Sequence, residues 1–154
     1  MIDRSKLKPI IEIKNEEVKQ LASEAENFLL SHHWCNTIVS GYLSWAIAGV
    51  IGVFLFDIIA SKPEVDETLW VVTGDLPPAY LVTDDADSWQ AALDSYVYEM
   101  RRWVTAVQKG DSLDELIPVN AAPTAEHADM LESRLKFIED NMINVSDNSL
   151  ESDS

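Results

Sequence analysis

From Cys35 to Phe56 the chain reads CNTIVSGYLSWAIAGVIGVFLF, a run without one charged side chain inside a sequence whose formal net charge is -16. A run of that length has three fates: a helix that crosses a bilayer, a hairpin at the heart of a sheet, or a helix buried in a core. The flanks speak against the span. The nearest Lys or Arg residues are Lys19 and Lys62, with His32, His33 and Asp57 closer in, so no positive flank encodes an orientation. Within the run Gly41, Gly49 and Gly52 are poor helix residues, whereas Ile38, Val39, Tyr42, Trp45, Ile47, Val50, Ile51, Val53, Phe54 and Phe56 favour strands. Broken at Ala48-Gly49, the run becomes two strands over 38–47 and 50–59, with Gly41 and Gly52 marking bulges or the close approach of another backbone. The hairpin is the reading carried forward, and the spanning helix and the core helix are its rivals.

The rest of the chain supplies partners for such a hairpin. Asn15 caps a helix over 16–33 whose apolar residues are Val18, Leu21, Ala22, Ala25, Phe28 and Leu29, with Glu16 and Glu17 in the first turn where the helix dipole favours them. Before it, Pro9 breaks any early helix and Ile10 to Ile13 read as a short edge strand. After the hairpin, Leu69 to Thr73 form a third strand, and Ala79 to Thr83 a short fourth beyond the stiff loop Gly74-Asp75-Leu76-Pro77-Pro78. Asp87 or Ser88 caps a helix with the stripe Trp89, Leu93, Tyr96, Val97, Met100, Val104 and Val107, closed by Lys109 and Gly110. A linker over 111–123 grips the core through Leu113, Leu116 and Ile117, and Thr124 caps a last helix reaching about 143. The expected fold is α+β: a single two-layer domain over 1–143, with an N-terminal helix, an antiparallel sheet of three to four strands and two C-terminal helices on one sheet face. Residues 144–154 read as a disordered acidic tail.

Composition bounds function more than it defines it. The 27 acidic against 11 basic side chains set up a field that repels nucleic acid and anionic membranes and attracts basic partners, although acidity also serves solubility alone. It is strongest toward the C-terminus, where eleven Asp or Glu after Gly110 face only Arg134 and Lys136. No apolar leader precedes the first helix, and Cys35, the sole cysteine, allows no internal disulfide, so the expected compartment is the cytoplasm.

The residues that bear chemistry form no recognisable catalytic motif. His32, His33 and Cys35 lie close in sequence, but adjacent helical residues diverge, so a helix end with a small packed thiol is the simpler reading than a metal site or a Cys-His pair. Asp84, Asp85 and Asp87 lack the glycine and distal glutamate of a calcium loop. Arg101-Arg102 face solvent or a nearby acid such as Glu99. Trp70 and Trp89 suit the core, while Trp34, Trp45 and Trp103 are expected to be partly exposed, Trp103 lying beside its helix stripe and resembling an interface anchor. No phosphate loop, serine elbow or zinc quartet is present, so no catalytic residue, cofactor or metal is assigned.

In size and charge the chain is similar to the bacterial immunity proteins that block nuclease toxins. That similarity implies a small acidic protein-binding module for a basic partner, working through surface charge and needing no active site. The residues expected to meet the partner are Asp75, Asp84, Asp85, Asp87, Trp103, Asp111, Asp114 and Glu115. The alternatives are an enzyme or small-molecule-binding domain with a pocket around Asp75, Tyr80 and His33, or a cytoplasmic assembly protein.

Overall fold

A computed structural model describes residues 2, 4–84, 86–119 and 121–144. Asp85 and the tail from 145 onward lie outside the described residues. The apolar run folds as a hairpin, with β2 at Cys35–Ile47 and β3 at Ile51–Ala60. Its turn is closed by the Val50 N–H donating to the Ile47 carbonyl at 2.9 Å, and Gly49 sits at a φ of 75°, where a side chain is disfavoured. Among the described residues no helix is long and apolar enough to cross a membrane.

Among the described residues five strands, rather than three or four, form one antiparallel sheet in the order β1-β2-β3-β4-β5, with β4 at Thr68–Gly74 and β5 at Ala79–Val82. The extra strand, β1, is the pair Lys8–Pro9, set against Leu43 and Tyr42 of β2. Residues 10–12 make a 3-10 turn instead of the expected edge strand. A proline is tolerated here because an edge strand need not donate on both sides. The turn then carries Ile10 over Gly41, where a Cβ would meet the Ile10 Cδ1 at 2.6 Å and the Phe56 ring at 2.6 Å.

The two-layer expectation is corrected to three layers. Strand side chains alternate between faces, and in β3 and β4 both sets are buried. Phe54, Phe56, Leu69 and Val71 pack with Val18, Leu21, Ala25 and Leu29 of α1, Glu16–Leu30. Val53, Leu55, Trp70 and Val72 pack on the opposite face with Leu93, Tyr96 and Met100 of α2, Trp89–Lys109. Helices on both faces explain why β3 reads as an unbroken apolar run, which a half-buried strand does not.

The helix boundaries follow from their caps. The Asn15 carboxamide oxygen accepts from the N–H groups of Glu17 and Val18 at 2.9 and 3.1 Å, opening α1. The helix stops at Leu30 rather than 33, because the chain turns through 31–34 to enter β2. Ser88, rather than Asp87, caps α2 by accepting from the Ala91 N–H at 3.2 Å. Thr124 accepts from the His127 N–H at 3.2 Å, opening α3 at Ala125–Asn144. Ala128, Leu131, Leu135 and Ile138 of α3 pack into the same cluster as α2.

Two aromatic expectations are also corrected. Trp103 is 3% exposed and Trp45 is fully buried, stacked on Trp89 at 4.8 Å with the rings 2° apart. Because α2 packs on both the sheet and α3, its buried arc is wider than a single stripe, and Trp103 falls within it.

Candidate functional site

The outward face of α2 is built by helical spacing. Asp94, Tyr98 and Arg102 recur every fourth residue and share that face. Tyr98 is 65% exposed. On one side of it a 540 Å³ groove is lined by Asp94, Arg101, Asp111, Leu116 and Glu139. On the other side a 550 Å³ groove runs between α2 and β5, lined by Tyr80, Leu81, Val82, Asp94, Tyr98 and Glu99. Tyr98 and Asp94 belong to both, so the two grooves meet at these side chains.

The charges around Tyr98 do not cancel. Arg101 forks onto Glu132 and Glu139, with 2.9 Å contacts to each. Those hydrogen bonds raise the guanidinium pKa above its ordinary value and hold the Glu139 carboxyl below the usual range. Arg102 pairs with Glu99 at 3.1 Å, and its guanidinium carbon lies 5.9 Å from the centre of the Tyr98 ring. The basic pair is thus fully engaged. Asp94 and Asp111 are exposed and make no ion pair among the described residues, leaving two guanidinium groups against five carboxylates.

The opposite side of β5 has different chemistry. A 480 Å³ cleft is lined by Phe28, His32, Tyr80, Ile117 and Pro118 among others. The His32 ring lies 4.8 Å from Phe28, 4.8 Å from Trp34 and 5.3 Å from Tyr80, centre to centre. Its Nδ1–H donates to the Phe28 carbonyl at 2.8 Å, since a carbonyl can only accept, and this fixes the ring at the end of α1.

The residues expected from sequence are scattered over this surface. Asp111 lines the Tyr98 groove, and Asp114 and Glu115 are exposed further along the same segment. Asp84 and Asp87 are exposed between β5 and α2. Trp103 is corrected from a surface anchor to a core residue, with only its rim reaching a 160 Å³ recess beside Asp75 and Arg134. The Asp75 side chain is 67% exposed, paired with Arg134 at 3.0 Å, and its carbonyl accepts from Arg134 Nε at 3.1 Å. Tyr80 lies in the grooves beside β5 instead, so the expected grouping of Asp75 with Tyr80 does not form.

The adjacent Pro77 carbonyl is held by the buried Tyr96 hydroxyl, which donates at 2.6 Å and whose pKa burial pushes up. His33 is exposed while Cys35 is buried, its thiol pKa raised by burial. Among the described residues no three His, Cys, Asp or Glu side chains gather as metal ligands. Sequence reasoning missed Tyr98 and Asp94. The available signal was their four-residue spacing on the side of α2 away from Leu93, Tyr96 and Met100.

No family model, curated protein or solved structure matches this chain.

Proposed function

We propose that the chain is an acidic protein-binding module that captures a basic protein through the Tyr98 grooves, as an inhibitor of a nuclease-like toxin does. The observation that carries this reading is a largely exposed Tyr98 set between Asp94 and Asp111, neither of which has an ion-pair partner among the described residues. Aromatic anchors supply interface affinity, and surrounding charge speeds association and selects the partner's sign. The net charge of -16 extends that field over the whole molecule. Three acidic residues expected from sequence, Asp111, Asp114 and Glu115, lie on the segment beside the groove.

The test is affinity capture from native lysate on the wild-type chain and on Tyr98→Ala/Asp94→Asn/Asp111→Asn, followed by an activity assay of the captured protein. We expect one basic protein, retained at low salt and released at high salt, whose nuclease activity the wild-type chain suppresses. The triple variant should weaken its binding at least about tenfold, or 1.4 kcal/mol. Capture that ignores both salt and the triple variant contradicts the reading.

A further inference from the structure

Strand β5, between the Asp94–Tyr98–Glu99 groove on one side and the His32 cleft on the other, is an edge of the sheet. Among the described residues β5 pairs only with β4, through Leu69 with Val82, Trp70 with Leu81, Val71 with Tyr80 and Val72 with Ala79. Among the described residues no backbone hydrogen bond reaches its other side. Every second residue of an antiparallel edge strand directs its N–H and C=O outward, which makes such an edge a template for another chain.

The geometry points to β-strand addition: an extended basic segment of the partner pairs with the outer edge of β5, antiparallel or parallel, and reads the α2/β5 groove and the His32 cleft with alternate side chains. This inference rests on the acidic-module reading and names its recognition mode. The alternation follows from strand geometry, since successive side chains of an added strand point to opposite sheet faces. On one face they meet Asp94, Tyr98 and Glu99. On the other they meet Phe28, His32 and Tyr80. Lys or Arg suits the first groove, and an aliphatic or aromatic side chain suits the second. Ile117 and Pro118 stand beside the Ala79 end, so pairing runs along Tyr80, Leu81 and Val82. So short an edge gives main-chain bonding little selectivity alone, which leaves the grooves to supply it.

The test uses the full chain and fluorescein-labelled, acetylated and amidated peptides, with binding read by anisotropy at low salt. The parent peptide is Lys-Val-Lys-Phe-Lys-Val. Its controls are the block arrangement Lys-Lys-Lys-Val-Val-Phe and two N-methylated forms of the parent, one methylated at the lysines and the other at the apolar residues. Only one set of amides faces β5, so one N-methylated peptide should bind at least tenfold more weakly and the other within twofold of the parent. The block peptide should also lose at least tenfold, and Asp94→Lys should weaken the parent by a similar factor.

Equal binding of all four peptides overturns strand addition while leaving the acidic module intact, because all carry the same charge. Loss in both methylated forms also overturns it, since a strand bonded along one edge presents only half its amides. If none of the four binds, both the strand addition and the acidic-module reading fail.

Discussion

The two edges of the sheet are finished differently. At the β1 edge, Pro9 sits in the terminal strand, and the register of β2 against β3 shifts between Cys35 and Thr37, between Ile38 and Ser40, and between Leu43 and Trp45. The N-terminal segment is locked down by Arg4, which forks onto Asp57 at 2.9 and 2.6 Å, while Thr68 and Ser40 donate to the same carboxylate at 2.9 and 3.1 Å. Proline, irregular register and an inward-held charge are the devices by which sheets discourage stray pairing. Within Ala79–Val82 no proline interrupts the strand and its register with β4 is regular, while the flanking side chains form grooves. The first edge is thus fastened at Tyr42 and Leu43 by β1, whereas β5 has no strand beyond it among the described residues.

Breaking the closed edge carries the largest expected effect. Asp57→Ala removes four hydrogen bonds and strands the Arg4 guanidinium, for a loss of about 1–3 kcal/mol read as a lower urea midpoint with unchanged slope. Burial pushes the Asp57 carboxyl up, but the hydrogen bonds from Arg4, Thr68 and Ser40 and the Arg4 charge outweigh it, so its pKa lies below the ordinary value. A carboxyl lowered on folding stabilises above its unfolded pKa, about 3.9, and that contribution is lost as pH falls through the folded value. Wild-type stability should therefore drop more steeply below about pH 4 than that of Asp57→Asn, as followed by denaturation across pH. Peptide binding at β5 should be unchanged in both variants. A binding loss in a folded variant would mean that the two edges are coupled.

Much of the scaffold behind this contrast was legible in local chemistry. The hairpin turn at Ala48-Gly49, the Asn15 cap and the α2 end at Gly110 are each decided by a few neighbouring residues, and each lies at or near the place expected. The third layer was not legible, because one apolar run fits a strand covered on either one face or both. Only the packing of Phe54 and Phe56 against α1, opposite Val53 and Leu55 against α2, decides between them. Trp103 was misplaced for a related reason: a helix with two partners buries a wider arc than periodicity alone indicates. Asp75 pairs with a residue 59 positions away, and no local pattern announces Arg134 as its partner. The grooves are likewise non-local, joining α2 to β5 and to the 111–116 segment.

A smaller effect tests how tightly the closed edge is packed. Gly41→Ala places a methyl group 2.6 Å from both Ile10 Cδ1 and the Phe56 ring. Ile10 is flexible, but Phe56 is fully buried, so the ring must shift or Ile10 must leave its place on β2. The cost should be about 1–2 kcal/mol by urea denaturation, in the lower part of the range for overpacked cores. Hydrogen exchange should rise along 8–13 and leave β5 unchanged. Uniformly faster exchange across the sheet would mean that the N-terminal segment is not a separable fastening.

The smallest effect has the most informative sign. Arg101→Ala releases Glu132 and Glu139, and because all three side chains are partly exposed, solvent screening limits the stability loss to about 1 kcal/mol or less. Hydrogen exchange should quicken over 132–141, where the forks tie α3 to α2, and stay slow in β3 and β4. For the open edge the same substitution removes a positive charge from the rim of the Tyr98 groove and frees two carboxylates. A basic peptide should therefore bind about two- to threefold more tightly, with a steeper dependence on salt. If Arg101 itself meets acidic groups of the partner, the change runs the other way and binding weakens. The direction of this one shift thus separates a groove that works through its carboxylates from one that works through its arginines, even though the loss of stability is similar in either case.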